Sequence, residues 1–229
     1  MNKKIMVISL GGSLIVPEKM DLQFLEKFKH TLRKYYKNYK FAIVCGGGTI
    51  ARKYISALEK DGKSKRQLSL AGIRATRTNA QFMMQLFGKE ANDSLPYNMK
   101  EIKYNLEKNP VVFCGALRFE EDSTSDGTSA KLANYLNTKF VNMTNVKGLF
   151  TANPKTNKHA KFIPSISWSK FEKMALKIKH KAGQHFVLDQ NAAVMIRKHK
   201  IPTYIIGKDL SNLEKILKGK KFVGTMIEN

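Results

Sequence analysis

An apolar run that ends in three glycines constrains the fold of this chain more than any other stretch. Residues 41–45 are all apolar, and an apolar run without alternation is typical of a strand that is covered on both faces. Gly46, Gly47 and Gly48 follow directly, and glycine lets a backbone turn sharply and approach a ligand. A helix from about Thr49 to Lys60 would point its free amides back at this turn, as at an anion site. By itself the pattern fits a tight turn without a ligand equally well.

The same arrangement occurs at two other predicted strands. The run from Lys4 to Leu10 ends in Gly11-Gly12-Ser13, and the run from Pro110 to Cys114 ends in Gly115. A loop rich in hydroxyl groups, residues 117–128, follows the third strand. Ligands bind at the carboxyl ends of the strands in open α/β sheets. The sequence therefore predicts a site lined with backbone amides and hydroxyls, which suits several phosphates at once. Alternatively, Ser125 or Asp126 only caps the helix that follows the loop.

Strands alternate with helices along the chain, which predicts an α/β fold. The expected architecture is a three-layer αβα sandwich around a mostly parallel central sheet. No linker is evident, so we expect residues 1–229 to form a single domain. The predicted strands are Lys4 to Leu10, Lys40 to Cys45, Pro110 to Cys114, Lys139 to Met143, Thr203 to Ile206 and Phe222 to Ile227. The predicted helices are Asp21 to about Lys37, Thr49 to Lys60, Leu68 to Phe87, Met99 to Glu107, Ser129 to Leu136, Trp168 to Lys179, Leu188 to Lys198 and Asn212 to Lys218.

The composition limits which binding partners are expected. Lys and Arg number 41 against 18 Asp and Glu, a net charge of +23, which makes affinity for phosphates or nucleic acids plausible. The lysines are spread along the whole chain without an aromatic-interleaved basic motif, so a solvated basic surface is favoured and a nucleic-acid partner is not expected. No apolar run approaches the roughly 18 residues that cross a bilayer, so no membrane partner is expected. Cys45 and Cys114 both end apolar runs, which favours two buried thiols in a cytoplasmic protein.

Several common catalytic and binding motifs are absent from the sequence. It contains no G-x-x-x-x-G-K-[ST], no H-R-D or D-F-G, and no G-x-G-x-x-G with an acid at the right distance. No Cys/His set has the spacing of metal ligands, so no metal site made by side chains is expected. Four of the five histidines are interpreted as surface or structural residues: His159, His180, His185 and His199.

Seven motifs occur in a fixed order along nearly the whole chain. They are Ser9 to Pro17, Val44 to Ile55, Gly72 to Ala80, Thr124-Ser125-Asp126, Thr144 to Lys155, Lys181-Ala182-Gly183 with Asp189, and Gly224 to Ile227. This ordered set resembles the amino acid kinase superfamily, most closely its archaeal-type UMP kinases. The segment from Thr144 is similar to the family's T-N-V-D-G-V-Y-T-A-D-P-K, and Thr124-Ser125-Asp126 is similar to its Thr-Thr-Asp. The resemblance implies transfer of a phosphoryl group from ATP to UMP, with Mg²⁺, in a homo-oligomer that is a hexamer in the family.

The resemblance also implies a role for each matched residue. The acceptor would be handled before about residue 125 and the donor nucleotide after it. UMP would bind to Gly46, Ser69, Arg77, Ser123, Thr124 and Ser125. ATP would bind to Ser9, Gly11, Gly12, Ser13, Gly47, Arg52, Thr144, Asn145, Phe150 and Asn153, with the ring of Phe150 near the adenine. The transfer itself would involve Lys181, Asp126, Gly11, Gly12 and Asp189.

The chain departs from the family pattern at several positions. Ser69, Lys147 and Asn153 each stand where the family has Asp, and Gln190 stands where Pro is usual. Residues 115–126 form a longer and more acidic loop than in the family. Two alternatives therefore stay open. One is another small-phosphate kinase, such as an isopentenyl phosphate kinase, although the chain has Ala51-Arg52-Lys53 where that branch carries a His. The other is a homologue that binds nucleotide or nucleic acid without turnover.

Overall fold

The computed structural model describes residues 3–119, 124–154, 156–177 and 187–229. Strands and helices alternate through the first half of the chain, and short strands are added in the second half. The strands are β1 (Lys4–Leu10), β2 (Tyr39–Cys45), β3 (Val111–Cys114), β4 (Phe140–Met143), β5 (Leu149–Phe150), β6 (Phe162–Ile163), β7 (Ser165–Ile166), β8 (Thr203–Ile206) and β9 (Thr225–Ile227). The helices are α1 (Gly12–Ile15), α2 (Leu22–Arg33), α3 (Gly48–Lys60), α4 (Lys65–Phe87), α5 (Met99–Lys108), α6 (Ser125–Tyr135), α7 (Trp168–Leu176), α8 (Gln190–Lys198) and α9 (Leu210–Leu217), and a 3₁₀ turn covers Gly88–Glu90.

A seven-stranded sheet forms the centre of the fold, in the order β3-β2-β1-β4-β8-β9-β7. The first five strands run parallel, and β9 is antiparallel to β8. The register pairs Leu10 with Cys45 and with Met143, and it pairs Val44 with Cys114. The carboxyl ends of four neighbouring strands therefore lie at one edge of the sheet. The predicted α/β class with a mostly parallel sheet is confirmed.

Apolar side chains cover both faces of the sheet, as the runs without alternation predict. Ile43 of β2 points into a core formed with α2, α4 and α9, whereas Val44 points into a second core formed with α5, α6, α7 and α8. Each fully buried apolar side chain stabilises the fold by about 1.5–3 kcal/mol. One layer of helices covers each face of the sheet, and the two layers with the sheet make up the three-layer architecture. Cys45 and Cys114 lie on opposite faces and are both free and buried. Burial raises the pKa of both thiols, that of Cys114 to about 12.

Local capping explains where several helices begin. Asp21 caps α2, since its Oδ1 accepts a hydrogen bond from Phe24 N at 3.0 Å. The helix ends at Arg33 and not near Lys37 as predicted. Asn98 caps α5, since its side chain accepts a hydrogen bond from Glu101 N. Helix α4 begins at Lys65, three residues before the predicted start, because Ser64 and Gln67 form a reciprocal capping box.

Other boundaries also differ from the sequence prediction. Helix α6 begins at Ser125 and not at Ser129, and its cap is Thr124. Asp189 is the cap of α8 and not a first-turn residue. Between the antiparallel strands β5 and β6, the described residues 151–154 and 156–160 form turns and bends. Among the described residues, no helix has the length and apolar character needed to cross a membrane.

Candidate active site

The two glycine turns after β1 and β2 are in direct backbone contact. A Cβ atom on Gly12 would lie 2.1 Å from Gly48 N and 2.5 Å from Gly46 O, so no larger residue fits. Gly48 has a φ of +60°, a conformation that glycine adopts without strain. Gly46 N donates a hydrogen bond to Leu10 O at 2.9 Å, which joins the turns further. The chain therefore brings two predicted glycine loops together at one edge of the sheet.

The first turn of α3 presents backbone amides next to this contact. Its cap is Gly47, which has no side chain to accept hydrogen bonds from these amides. Arg52 lies on the same helix, and its Nη2 donates to Thr49 Oγ1 at 2.9 Å. Free amides and a cation near the start of a helix favour a bound anion. This end of α3 therefore has the features of a phosphate site.

Helix α4 holds the turn after β2 through a buried amide. Asn79 Nδ2 donates to Gly46 O at 2.7 Å. The side chain of Asn79 is only 2% exposed, so this hydrogen bond fixes the direction of the Gly46 peptide away from water. Asn79 is not among the residues that the sequence predicts for the site. The available signal was a polar residue on the buried face of a helix.

The same helix holds the loop after β3. Thr76 Oγ1 accepts a hydrogen bond from Ala116 N at 2.9 Å, and Arg77 donates to Ala116 O at 3.2 Å and to Leu117 O at 2.6 Å. The Arg77 guanidinium also lies 4.7 Å from the centroid of the Tyr97 ring. Gly115 is required at the start of the loop, since a Cβ there would lie 2.7 Å from Arg77 N. Arg77 thus shapes the loop that leads towards α6.

A serine and a carboxylate connect β1 to the start of α6. Ser9 Oγ donates a hydrogen bond to Asp126 Oδ1 at 2.8 Å. Burial raises the pKa of Asp126 to about 7, the negative charge of Asp189 adds to the increase, and the hydrogen bond from Ser9 opposes it. Asp126 therefore changes its protonation state near neutral pH, beside the strand that leads into the first glycine turn.

Asp189 joins the starts of two helices. Its Oδ2 accepts hydrogen bonds from Thr124 Oγ1 at 2.5 Å, from Thr124 N at 2.9 Å and from Gly127 N at 3.2 Å. Its Oδ1 accepts from Ala192 N at 2.6 Å. A carboxylate that accepts amide hydrogen bonds near helix N-termini is favoured by both helix dipoles. Asp189 thereby fixes α6, which carries Asp126, against α8.

The loop after β4 adds a hydroxyl and an aromatic pair. Thr144 directly follows β4, and its N–H donates to Ile206 O at 2.9 Å. The rings of Phe150 and Phe162 have centroids 5.5 Å apart on the β5–β6 hairpin. Lys147 lies over both rings, with Nζ 4.9 Å from the Phe162 centroid and 5.7 Å from the Phe150 centroid.

The structure brings most of the predicted site residues to one edge of the sheet. Ser69 lies on α4 and is partly buried. Asn145 and Asn153 are exposed. Lys181 and Ser123 lie outside the described residues. The predicted residues at this edge lie near the ends of strands or the starts of helices. They are Ser9, Gly11, Gly12, Ser13, Gly46, Gly47, Arg52, Thr124, Ser125, Asp126, Thr144 and Asp189. Within the described ranges, no three His, Cys, Asp or Glu side chains cluster as metal ligands.

Comparison with known proteins agrees with this geometry. A model of the amino acid kinase family matches residues 4–207. The chain belongs to the amino acid kinase family. The uridylate kinase of Thermococcus kodakarensis is 33% identical over 224 residues, which cover 97% of this chain and 98% of that relative. The uridylate kinase of Thermoplasma volcanium is 33% identical over 229 residues, covering 100% of this chain and 99% of that relative.

A solved structure matches nearly the whole chain. The crystal structure of uridylate kinase from Archaeoglobus fulgidus has a TM-score of 0.83 and 30% sequence identity. The alignment covers 97% of this chain and 99% of the Archaeoglobus fulgidus chain. The resemblance that the ordered motifs indicated is therefore confirmed.

Proposed function

We propose that this member of the amino acid kinase family is a UMP kinase, which transfers the γ-phosphoryl group of ATP to UMP and forms UDP for pyrimidine nucleotide synthesis. The observation that carries the proposal is the backbone contact between the glycine turns at Gly12 and Gly48. It supports a site in which two phosphate groups approach each other among amides. The two relatives described above match over nearly their full length and are uridylate kinases, which supports UMP as the acceptor.

The chemistry of the acceptor fits a site without a general base. The phosphate of UMP has a second pKa of about 6 and is largely ionised near neutral pH. Its oxygen attacks without first losing a proton to the protein. The protein needs to hold donor and acceptor in line and to neutralise charge. The glycine turns, the start of α3 and the cation of Arg52 supply groups of that kind.

We assign the two nucleotides to opposite sides of the contact. Gly46 would face UMP together with Ser69, Thr124, Ser125 and the loop that Arg77 shapes, and Ser123 would belong to the same side. Gly47 would face ATP. The other ATP residues would be Ser9, Gly11, Gly12, Ser13, Arg52, Thr144, Asn145, Phe150 and Asn153. Lys181 would stabilise the transferring charge. Residues 1–229 would act as one domain with an acceptor half and a nucleotide half.

Mg²⁺ would enter with the nucleotide. The described residues offer no three-ligand cage, and Mg²⁺ is commonly held by phosphate oxygens, water and one or two carboxylates. Asp126 is the carboxylate that lies beside Ser9 and the first glycine turn. When bound, the ion would neutralise phosphate charge. The chain's own part is to hold Asp126 in place through Ser9 and, by way of α6, through Asp189.

We further propose that the chain assembles into a homo-oligomer, a hexamer by analogy with the family, in the cytoplasm. Helix α3 supports assembly, because Ala51 is its only buried residue among 13. Tyr54 on this helix is 56% exposed. We propose that a second copy of the chain contacts this exposed face of α3, next to the site.

An acceptor screen tests the proposed reaction. ADP release from ATP is followed in a coupled assay with UMP, CMP and isopentenyl phosphate as acceptors. We expect turnover with UMP at least about tenfold above that with either competitor, because a site that hydrogen-bonds its acceptor discriminates against molecules lacking the matching groups. Preference for isopentenyl phosphate would identify the other small-phosphate kinase.

Two further results would replace the kinase proposal with the binding homologue. The first is ATP binding without turnover of any acceptor. The second is RNA binding that persists at about 200 mM salt, since purely charge-driven contacts weaken steeply there. Loss of RNA binding at that salt concentration would attribute any binding to the net charge of +23.

A further inference from the structure

Helix α4 fixes the peptide that joins Gly46 to Gly47. Asn79 Nδ2, on the buried face of this helix, donates a hydrogen bond to Gly46 O at 2.7 Å. Gly46 is buried and Asn79 is 2% exposed. A hydrogen bond in such surroundings is stronger than the same bond in water. The plane of this peptide is therefore set by Asn79.

Fixing the carbonyl of Gly46 also fixes the N–H group of Gly47. The two groups belong to one planar trans peptide, in which they point in opposite directions. The Gly47 N–H therefore points away from Asn79. None of the described residues accepts a hydrogen bond from it. Gly47 is partly exposed and precedes the first turn of α3, so this N–H joins the free amides at the start of that helix as a donor for a ligand.

A second contact from α4 limits how far the turn can move. A Cβ on Gly47 would lie 3.5 Å from Thr76 Cγ2, so the methyl group of Thr76 lies close to the turn. Thr76 precedes Asn79 by three residues and therefore shares its face of the helix. Thr76 Oγ1 also accepts a hydrogen bond from Ala116 N at 2.9 Å. One helix face thus holds both the turn after β2 and the loop after β3.

We propose that Asn79 is a positioning residue, which aims the Gly47 N–H at the phosphate groups between which transfer occurs. The inference rests on the proposed function in one respect, namely that a phosphate group lies at the start of α3. It adds a residue that places a donor for the substrate without touching the substrate. A donor fixed in advance needs no reorganisation when charge develops in the transition state. Asn79 should therefore affect kcat more than KM.

Three variants test this role by kinetics. Asn79→Leu keeps a side chain of similar size without a donor, and Asn79→Ala removes the amide without added bulk if Asn79→Leu does not fold. Asn92→Leu is the matched control, because Asn92 is also 2% exposed and its Nδ2 donates to Phe113 O at 3.1 Å on the edge strand β3. The values of kcat and KM for ATP and UMP are measured below the unfolding temperature of each variant.

We expect both Asn79 variants to lower kcat at least about tenfold with little change in either KM, because one well-placed donor contributes on the order of 100-fold to kcat. Asn92→Leu should lower the unfolding temperature and leave kcat unchanged. A purely stabilising role for Asn79 would lower the unfolding temperature in all three variants and kcat in none, which would overturn the inference. An equal loss of kcat in Asn92→Leu would also overturn it.

The amide NMR signal of Gly47 separates this inference from the proposed reaction. The signal is followed during titration with ATP alone, without an acceptor. We expect ATP to shift it in the wild type and in Asn92→Leu, and to shift it less at saturation in Asn79→Leu. If no acceptor is phosphorylated but these shifts occur, the UMP kinase proposal fails and the role of Asn79 holds.

The opposite outcome is equally distinct. If UMP is phosphorylated but the Gly47 signal of Asn79→Leu responds to ATP as in the wild type, the inference fails and the proposed reaction holds. Asn79→Ala takes the place of Asn79→Leu in this comparison if the latter does not fold. A wild type that does not bind ATP would overturn both proposals.

Discussion

Replacing Gly12 with alanine tests the contact between the two glycine turns. The added Cβ would lie 2.1 Å from Gly48 N, 2.5 Å from Gly46 O and 2.6 Å from Gly47 C. All three atoms belong to the backbone, so no side-chain rotation relieves the overlap and one turn must move. Overpacking in a core costs about 1–3 kcal/mol, and we expect Gly12→Ala to reach or exceed the upper end. Domains of this kind have unfolding free energies of about 5–15 kcal/mol, so the variant should remain folded.

The catalytic effect should exceed the effect on stability. Two non-hydrogen atoms do not approach closer than about 3 Å without a hydrogen bond, so the turns must separate by roughly 1 Å. A misplacement of this size costs on the order of 100-fold in rate when in-line geometry carries the reaction. Urea unfolding at fixed protein concentration gives the change in stability, and the coupled ADP assay gives turnover.

A second glycine provides the control. Gly72 lies inside α4, and a Cβ there would meet only Ile55 Cδ1 at 3.4 Å. Gly72→Ala should therefore stabilise the protein by roughly 0.5–1 kcal/mol, because alanine is the better helix residue. If Gly12→Ala unfolds within about 0.5 kcal/mol of the wild type, a margin on the order of ordinary surface substitutions, and retains full turnover, the argument from backbone contact is wrong.

Two other predictions address Asp126 and the assembly. A carboxylate whose pKa rises to about 7 on folding from an ordinary value of about 4 destabilises the folded state increasingly as pH rises between these values. Asp126→Asn should remove that decline, so the thermal unfolding temperature of the variant should depend less on pH from about 4 to about 7. Turnover should fall at least about tenfold, an effect on the order of removing a positioned group from a catalytic site. An unchanged rate would exclude Asp126 from the site. Tyr54→Glu should reduce the oligomer mass in analytical ultracentrifugation, whereas Tyr104→Glu, at a similar 55% exposure, should not. Equal masses for both variants and the wild type would argue against α3 as an interface.

The sequence predicts the central sheet well because the signal for each strand lies within a few consecutive residues. Apolar runs such as residues 41–45 are typical of strands covered on both faces, and the glycines mark their ends. The same logic assigns Gly11, Gly46 and Gly115 to one edge of the sheet from their positions in the chain alone. Parallel pairing then requires these ends to meet.

The parts that the sequence does not predict depend on partners distant in the chain. The pattern of α4 marks Asn79 as polar, but it does not show that the amide will hold Gly46 O, a contact across 33 positions. The start of α6 is missed because Ser125, Asp126 and Gly127 have low helix propensity, and the cap at Thr124 is completed by Asp189. The hairpin β5–β6 has two residues in each strand, too few to show a period. Tertiary contacts outweigh local preference in all three cases.

The double cap at Asp189 has a consequence for local unfolding. The hydrogen bond from Thr124 N to Asp189 Oδ2 joins residues 65 positions apart, so one carboxylate closes a long loop without a covalent bond. The start of α6 cannot open without releasing the carboxylate that also accepts from Ala192 N. Amides in one cooperative unit exchange with solvent hydrogen at a common opening free energy. The amides of Thr124 and Gly127, which both donate to Asp189 Oδ2, should therefore open together and share one protection factor.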